Sequence, residues 1–268
     1  MKEIPLSWKE FLNEAGKVQS QQSPRVISLP KPEPGETRIN IDCNIPFFRG
    51  VSKVSYELET SLDRVKKNFG LVDYYKIIGQ AFSQLSPKQQ EYYSFSVGTT
   101  TQNAYENYLR FGSFLRHFGL PSPLLDWTAD PYIALFFAFS DLYSKDDKAI
   151  YMFRADIKMQ PQYDDIFKDY DVTFFKPPKD RFNRRASNQK SFFSTCLSKD
   201  KSNLTFGYHH DVLSNSDDLL TKFIISTRET EEILRELHKS KKTFCTLFGR
   251  SKENKLRDYA LEHFNKTI

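Results

Sequence analysis

The sequence RHFGLPSPLLDWTADPYIALFFAF, residues 116–139, decides the fold of this chain more than any other stretch. Its first sixteen residues contain one His, one Gly, three Pro, two Asp and one of the two Trp of the chain, and the remainder is mostly apolar. A segment that serves packing alone needs few polar or conformationally special residues. We therefore expect this stretch to hold a ligand.

The order of residues within the stretch predicts a short strand followed by a buried helix. Leu124–Thr128 has the composition of a strand, and Asp130 is suited to cap a helix whose first turn contains Pro131. From Pro131 to about Leu142 the residues are apolar on nearly every side. A helix of that composition belongs in the core.

Composition indicates a folded globular chain with a sizeable core. Of its 268 residues, 39% are hydrophobic and 15% aromatic. The 39 Lys and Arg residues exceed the 34 Asp and Glu residues by only five, an excess that permits a polyanionic partner without requiring one. Cys43, Cys196 and Cys245 are far apart and odd in number, which disfavours a disulfide framework and a cysteine zinc site.

Several kinds of segment are missing from the sequence. It contains no GxGxxG or Walker-type loop, no apolar run near the ~20 residues of a membrane span, and no apolar signal region after Met1. We therefore expect a cytoplasmic protein with no membrane partner and no metal.

The hydrophobic pattern predicts an α+β fold, with a helical N-terminal half around a small mixed or antiparallel sheet. No repeat and no domain boundary is evident, so we expect a single domain over residues 1–268, with a helix and a Pro-rich arm in 1–38 and the core in 39–268. Helices are predicted at 6–16, 56–70, 73–95, 102–118, 131–142, 227–237 and 254–264, and strands at 39–50, 124–128, 148–156, 191–197 and 219–225.

Several motifs, taken in order, resemble the FRG domain family, which is named after its (F/Y)RG motif. They are Phe48-Arg49-Gly50, His117–Pro121, the strand Leu124–Thr128 with the helix from Pro131, and Arg185–Gln189 before Phe192-Phe193. Ser7–Phe11 and Thr246–Phe248 resemble the opening and closing segments of the family. The resemblance extends over residues 6–262. The chain departs from the family at Arg116, where Gln is usual, at Ser122-Pro123, and at Ser191, where Gly is common.

The same order of motifs is similar, more distantly, to ADP-ribosyltransferases of the Arg–Ser–Glu type. That resemblance implies an ADP-ribosyltransferase-like fold, with NAD as co-substrate. Arg49, with Phe48 and Gly50 beside it, would hold the phosphate and ribose of NAD. Thr128 would be the strand hydroxyl at the nicotinamide pocket, and Gln189 would stand at the acidic position.

The catalytic residues that we expect from this reasoning are Arg49, His117, Asp126 and Gln189, and Arg185 joins Phe48, Arg49, Gly50 and Thr128 in binding the cofactor. The acceptor of ADP-ribose would be a protein or a nucleic acid. The FRG resemblance also implies a toxin or an anti-phage defence effector, with an antitoxin or defence-system partner.

Each of these residues also has a structural interpretation. Arg49 is suited to a buried ion pair with Asp126, and His117 to a hydrogen bond with a backbone carbonyl in the following turn. Thr128 would bond the residue that caps the next helix, and Gln189 would pack against Arg185. The pair His209-His210 with Asp211 has the composition of a metal site but lacks a third partner at standard spacing.

Two other functions stay open. One is a non-catalytic module whose pocket recognises a nucleotide, a nucleic-acid end or a protein. The other is a nucleic-acid-processing enzyme that uses the basic residues of 176–201, with His117 as acid or base. The transferase hypothesis requires Arg49, His117, Asp126 and Gln189 to converge within ~10 Å on one pocket.

Overall fold

A computed structural model describes residues 1–21, 46–93, 111–116, 119–154, 169–177, 184–198, 200, 203–214 and 219–263. His117 lies outside these residues, as do most of the predicted helix 102–118 and the first part of the predicted strand 39–50. None of the helices in the described part of the chain has both the length and the apolar character needed to cross a membrane.

The described residues form a mixed sheet of seven strands. In chain order these are β1 (Lys2–Pro5), β2 (Pro46–Val51), β3 (Leu125–Thr128), β4 (Lys148–Arg154), β5 (Tyr170–Phe175), β6 (Ser191–Ser198) and β7 (Leu220–Ile225). Their order across the sheet is β1-β7-β4-β2-β3-β6-β5. The pair β1–β7 is parallel and the other neighbours are antiparallel.

Helices cover the sheet and follow its edges. They are α1 (Trp8–Gln21), α2 (Leu71–Ser83), α3 (Pro87–Tyr92), α4 (Pro131–Phe139), α5 (Arg184–Asn188), α6 (His209–Leu213), α7 (Thr230–Lys239), α8 (Phe244–Phe248) and α9 (Lys252–His263). Residues 111–115 are also helical, and a 3-10 turn, Thr227–Glu229, precedes α7. The predicted α+β class is confirmed.

The two faces of the sheet carry different cores. On one face, which we call the helix side, α1, α4 and α7 pack on strand residues such as Phe48 and Ile150. On the other, the loop side, the core contains Phe47, Trp127 and Tyr151. Successive residues of a strand point to opposite faces. Arg49, between Phe48 and Gly50, therefore belongs to the loop side.

The stretch that opened the sequence analysis folds as predicted. Leu125–Thr128 is a strand, and Pro131 starts α4 after Asp130, whose side chain accepts a hydrogen bond from the Tyr132 amide. Six of the nine residues of α4 are buried. The cap fixes the start of the helix, and burial of its apolar surface stabilises its position on the sheet.

One predicted helix, 56–70, is wrong, and another, 73–95, forms as two shorter helices. Residues 52–69 form turns and bends because Leu58 and Leu62 are buried in different cores, so no single helical face serves both. The predicted helix 73–95 is broken between α2 and α3 at Ser86-Pro87, where Ser86 forms a capping box. The sequence patterns also missed β1 and β5.

Candidate functional site

The sheet splits between β2 and β3. These strands share one register pair, Phe48 with Thr128. Beyond it, β2 continues alongside β4 to Val51, while β3 continues alongside β6 back to Leu125. Where two neighbouring strands part, backbone groups on the facing edges lose their ladder partners. The split therefore opens a polar gap in the middle of an otherwise apolar sheet.

Arg49 lies at this split. Its Nη1 donates a hydrogen bond to the Asp126 carbonyl oxygen at 3.0 Å, which bridges the parted strands. Burial lowers the pKa of Arg49 to about 10, and the nearby Asp126 carboxylate acts in the opposite direction. The guanidinium is still a cation at neutral pH.

The charge on Arg49 has no anion beside it in the described part of the chain. No described carboxylate lies within ion-pair distance, and its Nε is buried without a hydrogen-bond partner. A cation removed from water is costly unless an anion or several acceptors compensate it. Arg49 is therefore equipped to receive an anionic group.

The carboxylate of Asp126 is bound by Arg116 rather than by Arg49. Both of its oxygens accept hydrogen bonds from the two terminal nitrogens of Arg116, a bidentate pair. The Arg116 guanidinium also lies over the ring of Phe193, 5.1 Å from its centroid. The predicted Arg49–Asp126 ion pair is thus replaced by a contact to the Asp126 carbonyl.

His209 is a buried neutral group near Arg49. Its Nε2 lies 3.2 Å from the Ser194 carbonyl oxygen, which can only accept, so Nε2 carries the proton. Nδ1 is then an acceptor, and it is buried without a partner. Burial lowers the pKa of His209 to about 3, and the charge of Arg49 lowers it further. Among the described residues, no three His, Cys, Asp or Glu side chains are grouped as a metal site.

A carboxylate that the sequence patterns did not reveal also lies on the side of Arg49. Tyr208 donates a hydrogen bond to Glu57 Oε2 at 2.7 Å and lowers the pKa of Glu57, so the carboxylate is ionised. Tyr151, the register neighbour of Arg49 on β4, donates through its hydroxyl to the Tyr56 carbonyl at 2.7 Å. Glu57 therefore comes directly after Tyr56, whose carbonyl is held by the strand neighbour of Arg49.

Gln189 and Arg49 do not converge. Thr128 lies on the face of Phe48, and its buried hydroxyl donates to the Gln189 carbonyl at 2.8 Å. The Gln189 side chain is 8% exposed, and its amide lies 3.4 Å from the carbonyl of Leu247, a member of the helix-side core. Arg49 points to the loop side, so the pocket expected between these two residues is not formed.

Three other predicted cofactor contacts are directed elsewhere. Phe48 is fully buried against α1, where its ring meets Phe11 edge to face. A Cβ on Gly50 would lie 1.9 Å from the Ala134 carbonyl oxygen, so this glycine admits the backbone of α4 rather than a ligand. Arg185 is exposed, with its guanidinium over Phe248. All three residues pack against helices on the helix side of the sheet.

Asp130, the other carboxylate of the motif, is committed to structure. Besides capping α4, its Oδ2 accepts hydrogen bonds from Lys190 and Lys242, each at 2.9 Å. These bonds lower its pKa against the opposing effect of burial. Asp130 is therefore not free to act on a ligand at Arg49.

A cavity of about 290 Å³ lies on the helix side, away from the split. It is lined by residues of α4, α7 and α9 and of the segment that follows α7, among them Phe136, Leu234, His238, Lys242 and Leu261. None of the predicted site residues lines it. The split around Arg49, with its charges, is therefore the better candidate for the ligand site.

Comparison with known proteins gives one match. The family model described as FRG domain matches residues 44–147, a range that contains Arg49, Arg116 and Asp126. The motifs at 7–11, 185–189 and 246–248 lie outside the matched range. No curated protein and no solved structure matches the chain.

Proposed function

We propose that this chain, whose residues 44–147 match the FRG domain model, binds a phosphate-bearing nucleotide at Arg49, with NAD as the first candidate. The observation that carries the proposal is the Arg49 guanidinium, a cation at the split of the sheet with no described carboxylate beside it and with a buried, unbonded Nε. A phosphate would supply the charge and the acceptors that this side chain lacks.

The local charge supports an anionic ligand. Arg49 and Arg116 are separated by one carboxylate, that of Asp126, which Arg116 binds in bidentate fashion. These three groups, two arginines and one aspartate, together carry one net positive charge. Guanidinium groups bind phosphate through a planar fork of donors, and such bonds are stronger than those between neutral groups.

The neutral groups beside Arg49 support a ligand that also carries hydroxyls. His209 Nδ1 is a buried acceptor with no described partner, and the Tyr208 hydroxyl next to it in the chain donates to Glu57. A sugar hydroxyl is a donor that suits such an acceptor. This favours a nucleotide over inorganic phosphate.

The binding proposal is tested by Arg49→Gln, which removes the charge but keeps a polar side chain of similar reach. We expect about 30-fold weaker NAD binding, since a charge-assisted hydrogen bond contributes ~2 kcal/mol. Isothermal titration calorimetry with NAD and ADP-ribose measures the effect. The matched control is Arg154→Gln, an exposed arginine at the end of β4, which should bind as the wild type does.

The result that would overturn the proposal is a wild-type protein that binds neither ligand, or an Arg49→Gln variant that binds as tightly as Arg154→Gln. Circular dichroism of the variant separates loss of the site from loss of the fold. Binding of ADP-ribose with the affinity of NAD would indicate that the nicotinamide contributes little.

Cleavage of the nicotinamide–ribose bond is the second candidate function. The observation that favours it is the ionised carboxylate of Glu57. In such cleavage the C–N bond breaks and its electron pair leaves with nicotinamide. Water or an acceptor nucleophile then bonds to the ribose carbon and releases a proton. The oxocarbenium-like transition state is stabilised by a nearby carboxylate. Gln189 is neutral and Asp130 is committed to structure, whereas Glu57 is ionised on the side of Arg49.

Glu57→Gln tests this second candidate. If the protein cleaves NAD, we expect nicotinamide release to fall about 100-fold, because a neutral amide cannot stabilise the developing positive charge. NAD affinity should stay within about threefold. Chromatographic assay of free nicotinamide measures the rate. The control is Glu14→Gln on α1, whose half-exposed side chain pairs with Lys17. Absence of release from wild-type protein that binds NAD would exclude cleavage and leave the binding proposal intact.

A further inference from the structure

Two basic segments that are distant in sequence meet at Asp130, on the helix side of the sheet. Lys190, just before β6, and Lys242, after α7, each place Nζ 2.9 Å from the same Asp130 oxygen. One carboxylate balances only one of the two charges. The junction is therefore positive before any further residue is considered.

A third basic segment joins the first two through aromatic contacts. Arg185 of α5 lies over the ring of Phe248 at 5.5 Å, and Arg257 of α9 lies over Phe244 at 5.4 Å. Both rings belong to α8, so this short helix connects α5 to α9. The Asp258 carboxylate fixes α9 further by accepting the backbone amides of Phe244 and Cys245.

We call the resulting patch the basic surface. It consists of the exposed cations Arg184, Arg185, Lys190, Lys241, Arg250, Lys252 and Lys255. Three carboxylates around it are used within the fold, whereas Glu262 near the end of α9 is exposed. Asp130 is bound by two lysines and caps α4, Asp258 accepts hydrogen bonds from α8, and Glu253 pairs with Arg257. Among the described residues, no carboxylate lies within ion-pair distance of any member except Lys190.

Some of the other described cations are matched by neighbouring acids. Lys9 pairs with Glu232, and Arg235 with Glu231 one helical turn away. Unmatched cations repel one another, and crowding six of them on one face reduces stability unless a polyanion covers them. The concentration of unmatched charge therefore points to a partner.

We propose that the basic surface binds the phosphate backbone of nucleic acid, without sequence preference. Its arginines and lysines are interspersed with the exposed neutral donors Ser187, Asn188 and Ser251, the side-chain types that contact phosphate and sugar. The 12 residues of α9 extend over roughly 18 Å, which spans about five nucleotide steps of a duplex strand.

The apolar residues of α9 argue against a membrane surface as the partner. Its exposed large apolar side chains are Leu256 and Tyr259, whereas a helix that lies in a membrane interface buries a continuous apolar face. The basic surface also stands apart from Arg49, which faces the opposite side of the sheet. The inference therefore does not depend on the proposed nucleotide site.

The test is fluorescence anisotropy with a labelled 30-base-pair DNA duplex at 50 to 300 mM NaCl, on the full chain. If six cations contact phosphates, the slope of log K against log salt should be about −5 for the wild type. The triple variant Arg184→Gln, Arg250→Gln, Lys255→Gln should reduce this slope by about 2.7 and weaken binding at least tenfold at 100 mM salt. The matched control, Lys2→Gln, Lys88→Gln, Lys145→Gln, carries the same charge change on exposed residues elsewhere.

A second measurement needs no variant. Lysine acetylation of the wild type, with and without duplex, should show protection of Lys252 and Lys255 but not of Lys2 and Lys88. Absence of duplex binding at 50 mM salt, or equal weakening by the two triple variants, would overturn the proposal. So would binding to phosphatidylserine vesicles without binding to DNA. Arg49→Gln should bind the duplex as the wild type does, which keeps this result separate from the nucleotide site.

Discussion

Replacing Gly50 by alanine is expected to destabilise the protein by about 4 kcal/mol or more, the range reached when the core cannot relax. The added Cβ would lie 1.9 Å from the Ala134 carbonyl oxygen, and under 3 Å from the Ala134 carbonyl carbon and the Ala138 nitrogen. These are backbone atoms of α4, so no side-chain rotation relieves the clash. The helix would have to move away from β2, which would disturb its packing on Phe48 and Ile150.

Urea denaturation followed by circular dichroism measures the change in the free energy of unfolding. In thermal denaturation we expect the melting temperature to fall by roughly 8 °C or more. Gly79→Ala is the control, because this glycine lies within α2 and a Cβ there meets nothing within 4 Å. It should stabilise the protein by about 0.5–1 kcal/mol through helix propensity. A Gly50→Ala variant within 1 kcal/mol of the wild type would show that α4 does not pack against β2 at this distance.

The buried His209 is expected to make folding sensitive to acid. Its folded pKa is about 3, against 6.5 for a free imidazole. Between these values the unfolded chain binds a proton that the folded chain does not. The contribution of His209 is therefore intact above pH 6.5 and is lost as the pH falls below it, by about 1.4 kcal/mol per pH unit. At pH 4 this amounts to ~3 kcal/mol.

His209→Phe isolates this effect, because phenylalanine fills a similar volume but does not titrate. The free energy of unfolding is measured from pH 7 to pH 4 for both proteins. Phenylalanine forfeits the hydrogen bond to Ser194, so the variant should be the less stable protein at pH 7. The wild type should lose ~3 kcal/mol more than the variant on acidification. Equal pH dependence would mean that His209 is hydrated or charged in the folded protein.

Local patterns in the sequence were sufficient for the strand–cap–helix unit from Leu125 to Phe139. A strand, a capping aspartate with a following proline, and an apolar helix each depend on interactions within a few residues. The β4, β6 and β7 strands were predicted for the same reason, since their apolar runs have no competing local structure. The FRG resemblance was equally local, and the matched residues 44–147 contain its longest motif.

The composition of the site depended on which residues share a face, and that is a tertiary property. Phe48 pairs with Thr128, and both side chains point to the helix side, where Thr128 contacts Gln189. Arg49 is the next residue along β2, so its side chain points to the loop side, away from Gln189. Arg116 and Glu57 were missed because their partners, Asp126 and Tyr208, are set by the packing of whole elements.

The block of residues 116–139 by itself determined a strand, a cap and a buried helix, because these follow from short-range hydrogen bonding and apolar periodicity. Only the tertiary structure decided that this unit forms one edge of a split in the sheet. There Arg49 bridges the gap to the Asp126 carbonyl, while Thr128 and Gln189 are used within the fold. The physical reason is that strand pairing and side-chain direction are fixed by contacts between segments far apart in the chain.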